Sequence, residues 1–429
     1  MKPSDPRLRT TSAIPIRVIC WLVTGWVALQ GADADWRAFR GNDGMGRGAD
    51  ALLPLTWSAS ENVVWRTPLP GPGSSTPIVI GDRIHVTCFS GYNVPGQPRG
   101  AQSDLKLHLL RLDRKTGRIE WTRDIEPKLP EQETIRDGHG YATSTPAADG
   151  DRVFAFFGKS GVHAFKADGT PMWQADVGSD LNGWGSGASL LLMGERLIVN
   201  ASVESEALYS LEADTGRVIW KLDGIKESWN TPLVVTHGGR TELVLAIHGW
   251  VLGVDPETGR ERWRCATGIP WYMVPSLVAH EGVLYAIGGR PGGSLAVRLG
   301  GTGDVTATHR LWTSSRGSNV SSPLYHEGRL YWMHDNLGVA FCADAKTGEI
   351  LYQERLDRAG QVYGSPVLNA GRILYPARNG TIHVVATGPK FERLASNSMG
   401  ERGEFNASPA VAGDRLFLRS DRYLYCVGQ

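Results

Sequence analysis

A segment of about 43 residues recurs along almost the whole chain. Each copy opens on a Ser/Thr/Ala–Pro step, passes a Gly-Asp or Gly-Glu turn, and closes on Thr-Gly followed by Trp. The opening proline falls at Pro77, Pro146, Pro232, Pro275, Pro323, Pro366 and Pro409, with Ser189 in the same column between the second and third. A repeat of roughly 40–45 residues is the size of one four-stranded propeller blade. Blades pack only on their neighbours, so eight copies make one domain, and length sets no second one.

Blade 3 shows the pattern. Strand A is Ser189–Met193, followed by the turn Gly194-Glu195 and strand B, Arg196–Ala201. Strand C is Ala207–Glu212, then come the turn Asp214-Thr215-Gly216 and strand D, Val218–Leu222. Short β-branched or aromatic runs bounded by Gly, Asp and Asn read as an antiparallel meander.

Three columns carry packing. A closing aromatic recurs as Trp121, Trp173, Trp220, Trp263, Trp312 and Tyr352. A compact column near the end of strand C holds Ala164, Ser210, Gly253, Ala296, Cys342, Val384 and Cys426, with Arg111 as the exception. Cysteines in such a column are small buried hydrophobes. A turn glycine follows, at Gly117, Gly216, Gly259 and Gly348, and supplies a positive φ.

The last copy stops after Tyr423–Val427 without a strand D. Asn62–Thr67 looks like that missing strand, with Trp65 in the aromatic column. Pairing the two closes the ring and removes both free edges. The fold expected is therefore all-β, an eight-bladed propeller over residues 62–429, with residues 35–61 as an N-terminal extension.

Residues 1–34 read as a signal peptide. Lys2, Arg7, Arg9 and Arg17 precede the short apolar run Val18–Leu29, and Ala32-Asp33-Ala34 has the form of a cleavage site. The protein is expected to be exported, periplasmic or secreted. Removing this segment moves the net charge from +1 to −1, which gives no reason to expect a nucleic-acid partner. Among the other cysteines none form CxxC, and His139 and His383 have no partners at metal-ligand spacing.

The TG-x-x-x-W steps at Thr116–Trp121, Thr215–Trp220 and Thr258–Trp263 resemble the quinoprotein dehydrogenase-like propellers, the PQQ-like repeats. The resemblance covers about residues 62–429, and in size the chain is similar to the B component of the outer-membrane β-barrel assembly machinery. Trp36–Asn42 and the insert Gly138–Tyr141 look like a secreted bacterial branch of this family. The dehydrogenases of the family imply PQQ with Ca²⁺, a vicinal Cys-Cys pair and an Asp base. This chain has no vicinal cysteines and no matching calcium set, and Arg17 precedes Cys20 where a lipobox wants Leu. The resemblance implies the fold; PQQ with Ca²⁺ stays an alternative, and no cofactor is expected.

Function is expected on one face. The A–B turns (Gly81-Asp82, Gly150-Asp151, Gly194-Glu195, Gly413-Asp414) and the C–D turns are short. Blade 1 is longer by 26 residues, in its B–C loop Ser90–Asp104 and its D–A loop Asp124–Thr143, both on the other face. The D–A loops carry His139, Tyr141, Trp184, Glu227, Trp229, Trp271, Tyr272, Arg316, Asn319, Gln361, Tyr363, Arg402, Glu404 and Asn406. Around one axis these form either a binding rim or a plug of aromatic rings. A rim would place Trp229, Tyr272 and Tyr363, each three residues before an opening proline, at one height with partly exposed rings. Gly183–Gly187 (GWGSG) sits in a D–A loop between strands, which is not the strand-to-helix setting of a serine elbow. The expected function is an exported, non-catalytic propeller that binds an envelope protein or a small polar ligand. The alternatives are a PQQ-dependent oxidoreductase and a glycan-binding or glycan-cleaving propeller.

Overall fold

The computed structural model describes residue 1 and residues 35–133, 135, 139–334, 337–357 and 359–429. The signal-peptide segment beyond Met1 and Gly138 of the insert lie outside the described residues. Eight antiparallel four-stranded sheets follow in sequence, each ordered A-B-C-D. In the eighth, Ala410–Ala412, Arg415–Arg419 and Tyr423–Val427 are completed by Val63–Pro68 from the other end of the chain. Trp65 pairs with Cys426, and the ring closes as the sequence predicts. Gly303–Asp304, from the long C–D connection of blade 5, adds a short parallel strand to the outer edge of blade 4.

Register corrects the repeat at two places. Ile78 pairs with His85 in blade 1, and the equivalent pairs are Leu191 with Ile198 and Val278 with Tyr285. The marker column therefore holds Leu190 and Leu277, not Ser189 and Pro275. The D–A loops differ by one or two residues there, and the strand start does not need proline.

The compact column has a direct cause. Arg111, Ala164, Ser210, Gly253, Ala296, Cys342 and Cys426 lie across the ladder from Trp121, Trp173, Trp220, Trp263, Trp312, Tyr352 and Trp65. Arg111 aside, each of these compact side chains leaves room for a large ring. At Gly253 a Cβ would stand 2.1 Å from Trp263.

Four rings also dock on the next blade. Trp65, Trp173, Trp220 and Trp312 donate their indole N–H to the carbonyls of Arg114, Ala213, Pro256 and Ala345 at 2.8–3.0 Å. Each lies against that blade's turn glycine. A Cβ on Gly117, Gly216, Gly259 or Gly348 would come within 2.5–2.7 Å of the ring. The glycine thus serves a positive φ and a ring contact together. Blades 1 and 2 join differently. Arg111, ion-paired with Glu120 at 2.6 Å, donates to Ala167 O, and Arg123 Nε donates to Gly169 O. This accounts for the arginine that breaks the compact column.

Residues 35–61 do more than precede the ring. Trp36 exchanges two backbone hydrogen bonds of 2.8 Å with Val79 of blade 1. The chain then crosses beneath the axis on the short-turn face. Arg40 donates to Pro323 O of blade 6, and Gly48 N donates to Leu368 O of blade 7 at 2.8 Å. Trp57 is buried in the core cluster of Val384, Leu394 and Ala395, at the blade whose own aromatic column ends in Ala395.

Candidate functional site

Two residues before each innermost strand stands a hydroxyl: Thr76, Thr145, Ser189, Thr231, Ser276, Ser322, Ser365 and Ser408. They form a belt around the axis. The backbone N–H of each donates to the hydroxyl of the next, from Thr76 through to Ser408, in seven bonds of 2.9–3.0 Å. At the closing junction Thr76 Oγ1 is buried with no hydrogen-bond partner among the described residues. Arg419 of blade 8 spans that seam instead. Its guanidinium donates to Ser75 O at 3.0 Å and Thr87 O at 2.6 Å, and it is 2% exposed with burial lowering its pKa.

Six of the eight, Thr145, Ser189, Ser276, Ser322, Ser365 and Ser408, wall an axial cavity of about 130 Å³. Its rim is His139, Trp184, Trp229, Tyr272, Tyr363 and Asn406, and Phe39 of the N-terminal segment is its floor. The rim is held from behind. Trp229 Nε1 donates to Gly185 O, and Trp229 N and Met273 N bond Met273 O and Glu227 O. Asn230 Nδ2 donates to Met273 O, and Asn200 Nδ2 to Asn230 O, both at 2.9 Å. Tyr272 sits at φ 70°, an unusual backbone for an aromatic residue, which aims its ring among Trp184, Trp229 and Trp271 at centroid distances of 5.1, 5.4 and 5.3 Å.

Among the described residues no carboxylate lines the cavity. One stands just behind the wall: Ser186, a lining residue, donates to the buried Glu204. Burial pushes the Glu204 carboxyl up to about 7, and burial does the same to Glu131 nearby, which Lys159 partly opposes. Ser186 also borders a second cavity of about 30 Å³ that Glu131, Lys159 and Tyr141 line. A wider groove of about 820 Å³ lies on the opposite face between blades 3 and 4. Its charged residues are tied into turn ion pairs, Arg196 with Glu257 and Arg262 with Asp255.

Of the fourteen residues read from the D–A loops, the cavity gathers His139, Trp184, Trp229, Tyr272, Tyr363 and Asn406. Trp229 and Tyr272 are 7% and 6% exposed, so their rings are buried rather than partly exposed, while Tyr363 is half-buried. Tyr272 also does not owe its place to repeat symmetry, because Pro275 is not in the marker column. Trp271 is 36% exposed and stands outside Tyr272. Tyr141 packs on Phe89 and Tyr92 and donates to Gln132 O, away from the axis. Gln361, Arg402 and Glu404 share a surface groove, where Arg378 bonds Gln361 and Glu404. Glu227 contributes its carbonyl, as does the exposed Arg316, which accepts from Ser294 at 2.7 Å. Asn319 is buried but does not line the cavity. The two long loops of blade 1 clasp each other: Tyr92 donates to Glu133 O and Gln102 to Glu131 O.

The hydroxyl belt, Ser186 and Phe39 escape the sequence reading. The belt had a signal, the Ser or Thr before the opening proline. Phe39 had none, since nothing local places it under the axis.

Eight blades, four of them docked on the next through a tryptophan, around a hydroxyl-walled axis define a PQQ-like β-propeller. The chain belongs to the family described as outer membrane protein assembly factor BamB, whose model matches residues 55–180 and 108–354. Comparison with curated proteins finds no match. Among solved structures it is similar to BamB from Moraxella catarrhalis, with a TM-score of 0.59 and 15% identity over 86% of this chain and 97% of that one. It is also similar to the quinohemoprotein alcohol dehydrogenase from Comamonas testosteroni, with a TM-score of 0.62 and 10% identity over 94% of this chain and 81% of that one. The computationally designed Ika8 protein aligns with a TM-score of 0.55 and 13% identity over 84% and 98%. At these identities the likeness is one of fold.

Proposed function

We propose that this chain is an exported, non-catalytic propeller that captures a small polar ligand, or a side chain offered by a partner protein, in the axial cavity of its long-loop face. The observation that carries this reading is the cavity itself. It is walled by neutral hydroxyls, rimmed by braced aromatics and floored by Phe39. Few polar groups set among rings on a rigid scaffold are what small-ligand recognition uses. A partner protein on the same face is supported by the family description, outer membrane protein assembly factor.

The quinone-dependent alternative fares worse on the chemistry of the lining. Calcium wants carboxylate and carbonyl oxygens, and the described residues of this lining offer none of the former. Among the described residues no cluster of three or more His, Cys, Asp or Glu is placed to hold a metal. Cys88, Cys265, Cys342 and Cys426 are all buried, in four different blades. The described residues of the lining therefore do not make the donor set that PQQ with its calcium asks for.

The test is a thermal-shift screen of the whole chain against small polyols, amines and acids. A true ligand raises the melting temperature of the wild type, and the rise disappears in Ser322→Val and Ser365→Val, which narrow and dry the wall. Shifts that survive both substitutions would place the ligand elsewhere. Dye-linked alcohol oxidation on addition of PQQ and Ca²⁺ would favour the oxidoreductase.

A further inference from the structure

We infer that the mouth of the axial cavity is a site for an organic cation, and that the chain's own Arg290 is its built-in occupant. The inference deepens the proposed function and rests on it. Arg290 comes from the B–C turn of blade 5, between Gly289 and Gly292, both at positive φ. Its guanidinium carbon lies 4.7 Å from the ring centre of Trp184, 5.4 Å from Tyr272 and 5.9 Å from Trp271. All three are within the reach of a cation–π attraction. Trp184 and Trp271 each stand at 66° to Tyr272, so the rings form the walls of a box rather than a flat stack.

The cage thus already holds a cation. What holds Arg290 there is the ring faces: it is exposed and makes no hydrogen bond or ion pair among the described residues. A side chain kept only by ring faces at an exposed site is displaced at small cost. Trp184 and Tyr272 are shared, since each is a wall of the cage and of the hydroxyl-lined cavity. A molecule with an ammonium group at one end and a polar body at the other spans the two. Tyr272 at its unusual φ is the shared wall, which is where a backbone outlier has a use.

The opposite reading uses Arg290 as an anchor for an anion, with its N–H edge turned to solvent. The two readings predict opposite effects of removing the arginine. The test is calorimetric titration of wild type, Arg290→Ala and Arg290→Lys with choline, with neohexyl alcohol (its uncharged isostere) and with acetate. The cage predicts that Arg290→Ala binds choline about two- to fivefold more tightly than wild type, and about fivefold more tightly than neohexyl alcohol. Arg290→Lys keeps a competing cation and stays near wild type. Adding Trp271→Ala to Arg290→Ala abolishes the gain, with an unchanged melting temperature showing that the fold is intact. Equal binding of choline and neohexyl alcohol would sink the cation site and leave the cavity as a ligand site. Acetate bound by wild type and lost in Arg290→Ala would make Arg290 an anion anchor and overturn the inference. No choline binding by any variant would also overturn it, and the wider screen would then judge the cavity alone.

Discussion

The indole of Trp65 rests on Gly117, and through that contact the last blade of the ring grips the first. The ring comes within 2.5 Å of where a Cβ would stand, and the indole N–H bonds Arg114 O at 3.0 Å. Trp220 and Gly259 repeat the arrangement between blades 3 and 4. Trp220→Ala should cost about 3–5 kcal/mol, because it removes a buried ring and leaves a cavity. Gly259→Ala should cost roughly 1–3 kcal/mol, through overpacking against the indole. Reversible urea unfolding measures both. A loss under about 1 kcal/mol for Trp220→Ala would mean that the docked ring does not hold the blades.

The hydroxyl belt predicts a contrast between two threonines of the same column. Thr145 Oγ1 accepts the N–H of Thr76, whereas Thr76 Oγ1 is buried with no partner among the described residues. Thr145→Val should destabilise by about 1–3 kcal/mol, since it orphans a buried amide. Thr76→Val replaces an unpaired hydroxyl by a methyl and should be neutral or stabilising. Equal losses in chemical denaturation would show that the belt is not a chain of bonds.

Arg419 replaces the eighth bond of that belt. Arg419→Ala leaves the buried carbonyl of Ser75 without the guanidinium donor and that of Thr87 with only the long Ser75 Oγ contact of 3.5 Å, and should cost roughly 3 kcal/mol or more. Arg419→Met fills the same space without a charge and should lose less than the alanine. Melting of the three proteins side by side decides the order.

Glu204 makes stability depend on pH. Its folded pKa of about 7 lies above the ordinary 4.5 because burial disfavours the anion. The folded state therefore holds its proton more tightly than the unfolded one. The contribution is complete below pH 4.5 and is lost as pH rises to about 7, to the extent of about 3 kcal/mol. Glu131, raised to about 7 by burial, adds to the same slope. Glu204→Gln should flatten the decline between pH 4.5 and 7 in denaturation curves taken across that range. A slope unchanged from wild type would remove Glu204 from its cause.

The fold was legible because its determinants are local and repeated. A turn glycine, a closing aromatic and a compact partner recur in register, and each is a packing requirement that composition cannot disguise. The strand Val63–Pro68 was legible for the same reason, since Trp65 matches the aromatic column. The slips at Ser189 and Pro275 came from counting a fixed period through D–A loops that differ by a residue or two. The site was half legible. Aromatics preceding each innermost strand point to the axis, but which reach it depends on loop geometry, so Gln361, Arg402 and Glu404 end in a surface groove. Phe39 and Arg290 reach the site from a crossing segment and a B–C turn, and neither carries the repeat's signature.

Phe39 lines the axial cavity from the N-terminal segment, opposite the aromatic mouth. For a molecule that enters and leaves between Trp184 and Tyr363, a change in the barrier there that leaves the bound and free states alone alters arrival and departure by one factor. The equilibrium then stays where it was. Residence time can therefore be changed without affinity only by groups at the doorway that do not touch the bound molecule, and Trp184 and Tyr272, which line the cavity, are not among them.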